Sequence, residues 1–170
     1  THCNAAYAIV GDQEQVDKIQ DLSSKLTNLK DIVYVDPKGL RKYDKAHLHS
    51  YESILEAGDK SGDKVQKELQ TRLDKVNGQS TCVLIYTSGT TGKSKGVVQT
   101  HGAIIGASMS ANEHDGWTKD DYLLSYLPMA WVGDYMISVG QGMAAGACIN
   151  CPEGADTFQV DLREVGPTFF

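Results

Sequence analysis

Long apolar runs, excess basic charge and cysteine are all scarce in this chain of 170 residues. No stretch approaches the roughly 20 apolar residues that a membrane-spanning helix requires. The most apolar late segment, residues 131–148, is broken by Asp134, Gln141 and several glycines. We therefore expect no transmembrane segment. Acidic residues outnumber basic ones, 22 to 16, for a net charge of −6. Nucleic acid and anionic membranes call for a broad basic face, so no nucleic-acid partner is expected and any anion must be captured locally. The four cysteines are Cys3, Cys82, Cys148 and Cys151, and only C-I-N-C at 148–151 has a metal-like spacing. A zinc site needs a second pair or two well-placed histidines, whereas His47 and His49 fall in a separate polar stretch. The start, T-H-C-N-A-A-Y, has no initiator Met, basic n-region or signal-peptide core. Reduced cytosolic thiols and a piece of a longer protein are the resulting expectations.

What is present is ordinary globular material. Hydrophobic residues at 41% and charged residues at 22% exclude a disordered or fibrous chain. The length suits one α/β subdomain spanning residues 1–170. Residues 5–10 read as a buried strand. Asp12 then caps a helix, with Gln15 at the capping-box position and Val16, Ile19, Leu22 and Leu26 as its apolar stripe. Residues 32–35 are β-branched and stop at Asp36-Pro37-Lys38-Gly39, completing a β-α-β unit. Residues 41–50 show no period and read as an exposed loop. Ser50 caps a helix through Ala57, and Asp63 begins another with Val65, Leu69, Leu73 and Val76 on one face. Continuous apolar character over 81–86 predicts a central strand covered on both sides.

Beyond it, 96–100 reads as strand, 101–114 as helix opened by His101, 122–127 as strand and 131–145 as a glycine-weakened helix. The chain then gives strand 147–150, helix 156–165 and strand 168–170. The predicted fold class is α/β: a layered α/β/α sheet, mainly parallel, with an antiparallel hairpin.

That hairpin carries the chemistry. Residues 87–96 hold Gly89, Gly92 and Gly96, the hydroxyls of Thr87, Ser88, Thr90, Thr91 and Ser94, and Lys93 and Lys95, with no carboxylate. Glycines let a backbone approach a ligand closely, successive N–H groups form anion-binding nests, hydroxyls donate and ammonium groups supply point charge for phosphate. The composition points to a nucleotide-phosphate loop. A parallel crossover needs about a dozen residues or more, and the gap between Tyr86 and Gly96 is shorter, so the flanking strands must pair antiparallel. A P-loop NTPase is disfavoured twice. Its chain passes directly into a phosphate-binding helix, and its G-x-x-x-x-G-K-[ST] pattern demands glycine where Thr87 stands.

The run Y-T-S-G-T-T-G-K-S-K-G-V, followed by V-Q-T-H-G-A-I, closely resembles the phosphate-binding loop of the AMP-forming acyl and aryl-CoA synthetase (adenylate-forming) superfamily. Y-L-P-M-A-W, A-C-I-N-C-P-E and D-L-R-E-V-G-P-T-F-F look like the matching stretch of bacterial long-chain fatty-acid-CoA ligases. The resemblance implies that a fatty carboxylate attacks Mg-ATP to give acyl-adenylate and pyrophosphate, after which coenzyme A displaces AMP. ATP, Mg2+, coenzyme A and a fatty acid are thus the implied small-molecule partners. Thr87, Ser88, Gly89, Thr90, Thr91, Gly92, Lys93, Ser94 and Gly96 would surround the β- and γ-phosphates. Lys95 would neutralise the departing pyrophosphate, and Thr87 would lie near the metal.

Two residues depart from the family pattern. Ser94 stands where proline is usual, giving a less rigid loop. Trp131 stands where many members have histidine; it cannot accept or pass a proton, and two readings stand beside each other for it, a wall of the acyl pocket and an ordinary core residue near a helix start. The family's adenine-, ribose- and metal-binding motifs and its mobile C-terminal domain are not in this chain, so residues 1–170 are expected to be inactive alone and partly covered by the rest of the parent. The resemblance implies a cytoplasmic parent, with any contact to the inner membrane peripheral. The competing readings are an aryl or short-chain acid ligase and a non-catalytic nucleotide-binding module.

Overall fold

The computed structural model describes residues 2–88, 92 and 94–169, which divide between Lys75 and Val76 into two compact units. The first is built on three parallel strands in the order β1 (Tyr7–Val10), β2 (Asp31–Tyr34), β3 (Leu48–Ser50), with Ala8 opposite Ile32 and Ile32 opposite Leu48. Helix α1 (Gln13–Asp21) starts where expected: Asp12 Oδ1 accepts from Gln15 N at 3.3 Å, and Gln15 Oε1 accepts in return from Gly11 N at 2.8 Å. The first bond satisfies an amide donor that the first helical turn leaves open, and the second ties the residue before the cap back onto the helix. Val16 is fully buried against Ile32, Tyr34, Leu40 and Leu48. The predicted stripe is shorter than its spacing implied. The helix ends before Ser23 and Ser24, whose hydroxyls compete for backbone partners, and Leu22 is left exposed.

The expectation of an exposed loop over 41–50 is corrected. Leu40 and Leu48 are core residues, and Leu48 opens β3. One inward leucine between two histidines is too short a pattern to show a period of two. His49 Nε2 and His47 Nδ1 lie 3.1 and 3.5 Å from the same oxygen, Asp31 Oδ1. Helix α2 (Tyr51–Asp59) is capped by Ser50 as predicted, its Oγ accepting from Ser53 N at 3.1 Å, and runs past Ala57. Helix α3 (Asp63–Leu73) begins at the predicted residue, with Val65, Leu69 and Leu73 each about half exposed.

The second unit begins with β4 (Thr81–Thr87) and β5 (Lys95–Thr100), paired antiparallel. Thr100 Oγ1 then caps α4 (His101–Asp115) by accepting from Ala103 N at 3.2 Å. Strands β6 (Tyr122–Leu124) and β7 (Cys148–Asn150) run parallel, joined through α5 (Val132–Asp134), a π-helical segment Tyr135–Gln141 and α6 (Gly142–Ala145). Helix α7 (Phe158–Val165) follows, and Phe169 makes a parallel bridge to Leu123. Ile104, Trp117, Leu123 and Leu124 are buried, and the Trp117 and Phe169 rings lie 4.7 Å apart.

The strands are therefore mainly parallel with one antiparallel hairpin, as the sequence predicted, in three separate ladders among the described residues. Five expectations need adjustment. Strand β1 is not buried, since Tyr7 and Ile9 are 60% and 69% exposed. Strand β4 is not covered on both sides: it pairs only with β5 among the described residues, and Leu84 and Tyr86 are exposed. An apolar run records hydrophobicity without saying what covers it. Strand 122–127 stops at Leu124, ahead of Pro128, which has no N–H for a ladder. The 131–145 helix begins one residue later and contains the π segment, and the predicted strand at 168–170 is one bridge at Phe169, with Phe170 outside the described residues.

The hydrogen bond from His49, followed by that from His47, holds the Asp31 carboxyl below the ordinary aspartate range, against the opposing effect of burial. A carboxyl depressed in the folded state stabilises above its unfolded pKa, and that stabilisation disappears as pH falls through the folded value. In urea titrations from pH 7 to pH 3, wild type should exceed Asp31→Asn at neutral pH, and the difference should shrink below about pH 4. A difference constant across that range would contradict the assignment.

Candidate functional site

The candidate site is the turn end of the β4–β5 hairpin. The ladder runs from Thr81 opposite Thr100 to Thr87 opposite Lys95, with an irregularity between Thr81 and Val83. Residues 88–94 form the connection. The chain enters a strand at Lys95 rather than a helix, which removes the P-loop reading.

Thr87 and Lys95 thus form the last cross-strand pair before the connection, both exposed. Directly opposed residues share a sheet face with Cβ atoms about 5 Å apart, which puts a hydroxyl and an ammonium together at the mouth of the loop. Lys95 makes no ion pair within 4.0 Å among the described residues, so its charge remains available. Ser88, Gly92 and Ser94 are exposed, and Gly92 has φ of +79°, a left-handed conformation that glycine adopts at little steric cost. Gly96 lies opposite Tyr86. Gly89, Thr90, Thr91 and Lys93 lie outside the described residues. Trp131 is on a different element, as the N-cap of α5, and is 62% exposed.

Two features were missed by sequence reasoning. Cys82 Sγ lies 3.4 Å from Tyr135 Oη, connecting the hairpin to the π segment, and this hydrogen bond followed by burial raises the Tyr135 phenol above its ordinary range. Asp134 is 5% exposed and accepts from Ser125 Oγ at 2.9 Å and Ser138 Oγ at 3.1 Å. An acid inside an apolar, glycine-rich segment was the available signal, because Asp is rarely buried without partners. Asp134, Trp117, Leu124, Gln141 and Phe169 line a cavity of about 200 Å³ in this unit. A larger one in the first unit, about 640 Å³, is lined by Ile19, Leu26, Ile32 and Leu48 with both histidines at its edge. No group of three or more His, Cys, Asp or Glu side chains among the described residues is placed to hold a metal ion.

The strand-to-strand connection flanked by Thr87 and Lys95 stands in a mixed α/β fold, and the model of the AMP-binding enzyme family matches residues 1–170. The chain belongs to that family. It is 27% identical over 176 residues to the long-chain-fatty-acid–CoA ligase ACSBG2 of Xenopus laevis, covering 99% of this chain and 23% of that protein. It is 29% identical over 174 residues to ACSBG1 of Homo sapiens, covering 98% and 23%. The chain therefore spans about a quarter of the length of these relatives. Among solved structures, ATP-bound MatB from Rhodopseudomonas palustris superposes with a TM-score of 0.61 at 18% identity, over 95% of this chain and 28% of MatB. At that identity the likeness establishes the fold.

Asp134→Ala would strand two buried hydroxyls, for an expected cost of about 1–3 kcal/mol. Denaturant midpoints should fall in that order of size for Asp134→Ala and by less for Ser138→Ala, which leaves the Ser125 bond intact. Equal midpoints for wild type and Asp134→Ala would refute the buried network.

Proposed function

We propose that residues 1–170 are part of the N-terminal adenylation region of a long-chain fatty-acid-CoA ligase and supply its β- and γ-phosphate loop. The observation that carries this reading is the antiparallel closure of the hairpin with Thr87 opposite Lys95. In the reaction, a carboxylate oxygen of the fatty acid attacks the α-phosphorus of ATP and pyrophosphate leaves. The thiol of coenzyme A then attacks the acyl carbonyl, loses its proton, and AMP departs with the oxygen that the acid contributed.

This chain's residues act in the first step. Backbone donors and hydroxyls from Thr87 to Ser94, together with Gly96, hold the β- and γ-phosphates, and Lys93 and Lys95 meet the charge that accumulates as pyrophosphate separates. Fixed donors placed where charge develops stabilise the transition state without reorganising. Thr87 fits Mg2+ in a limited sense: a hydroxyl with no carboxylate beside it suits an ion that arrives on the triphosphate and keeps most of its shell as phosphate oxygen and water. Bound there, Mg2+ would offset phosphate charge. Trp131, exposed at a helix start, is available as a wall of the acyl site once the rest of the protein covers it. The long-chain assignment draws on the named relatives, and an aryl or short-chain acid is the alternative. No helix among the described residues is long and apolar enough to cross a membrane. The cytoplasmic assignment, with peripheral contact to the inner membrane as the alternative, draws on the family resemblance alone.

In the whole protein, pyrophosphate release should require both ATP and a long-chain fatty acid, and Lys95→Ala should slow it by about 100-fold or more. Absence of acid-dependent release, or an unaltered rate in Lys95→Ala, would reject the proposal.

A further inference from the structure

We propose that Tyr86 is a positioning residue for the hairpin: its ring, seated on the bare backbone of Gly96, fixes the register that sets Lys95 opposite Thr87. The inference rests on the phosphate-loop reading above. Tyr86 and Gly96 form the rung immediately before the Thr87–Lys95 rung. A Cβ added at Gly96 would stand 3.1 Å from Tyr86 Cζ, 3.2 Å from Cε1 and 3.4 Å from Oη. The outer end of the ring therefore occupies the space that any other side chain would need.

Backbone conformation does not account for this glycine, since Gly96 is not among the positive-φ residues. Glycine inside a strand has no side chain to pack and weakens the ladder; an aromatic ring laid across it restores contact and pins register. Register matters here because a slip of one residue sends a side chain to the opposite face, which would carry Lys95 away from Thr87. Pinning from the far end of the hairpin is weak. The ladder is irregular between Thr81 and Val83, and the neighbouring Leu84–Val98 rung is 42% and 58% exposed.

The test uses the whole protein with Tyr86→Phe, Tyr86→Leu and Gly96→Val, the tyrosine variants also in a Lys95→Ala background. Tyr86→Phe keeps the ring and should retain clearly more activity than Tyr86→Leu, whereas Tyr86→Leu and Gly96→Val should lower kcat/KM for ATP by about 10–100-fold, the scale of a misplaced catalytic group. KM for the fatty acid should not move. Valine is a better strand residue than glycine, so a loss in Gly96→Val separates the ring seat from general strand stability. If Tyr86 acts through Lys95, Tyr86→Leu should cost little more once Lys95 is gone. A Phe variant as impaired as Leu, a neutral Gly96→Val, or equal costs in both backgrounds would overturn the inference.

Hydrogen exchange of the β4 and β5 amides gives a readout independent of turnover. It should be faster in Tyr86→Leu and Gly96→Val than in wild type and Tyr86→Phe. Unchanged exchange would overturn the ring seat, while faster exchange in a protein without acid-dependent pyrophosphate release would overturn the functional reading and leave the seat standing.

Discussion

The antiparallel closure at Thr87 and Lys95 is the constraint on which the candidate site depends. Too few residues separate β4 from β5 for a parallel crossover, so the chain must return beside itself. That return places a hydroxyl and an ammonium on adjacent strands at the mouth of the connection. The same backbone passing into a helix would hold phosphate at the helix terminus and would put Lys95 in an unrelated direction.

Local signals were legible where a side chain answers to its immediate neighbours. Asp12, Ser50 and Thr100 each accept from the amide three residues on, and Ser50 and Asp63 mark helix starts that the sequence alone had located. The hairpin was legible for a different reason: chain length forbade the alternative. Coverage was not legible. The apolar run in β4 leaves Leu84 and Tyr86 half exposed, while a single leucine among polar residues, Leu48, is a core residue with 4% exposure. Burial is decided by what packs across the chain, and neither hydrophobicity nor period carries that information over three residues.

The candidate site divides in the same way. The proposed phosphate chemistry rests on the residue types around Thr87–Gly96, because few environments other than a polyanion call for glycines, hydroxyls and lysines without a carboxylate. The buried Asp134 with its two serines, and the contact from Cys82 to Tyr135, depend on a π-helical segment that no local pattern announced. π segments recur at functional positions, and this one connects the hairpin to the buried polar network of the second unit. In the proposed function the loop contributes electrostatic positioning rather than covalent chemistry, and the relatives that the chain matches are about four times its length.

The most direct test follows oxygen. When the whole protein turns over a fatty acid labelled with 18O in its carboxylate, together with ATP and coenzyme A, attack on the α-phosphorus predicts one 18O in the phosphate of the released AMP, with unlabelled pyrophosphate. AMP without label, or label in inorganic phosphate accompanied by ADP, would contradict an acyl-adenylate route and with it the role assigned to this hairpin.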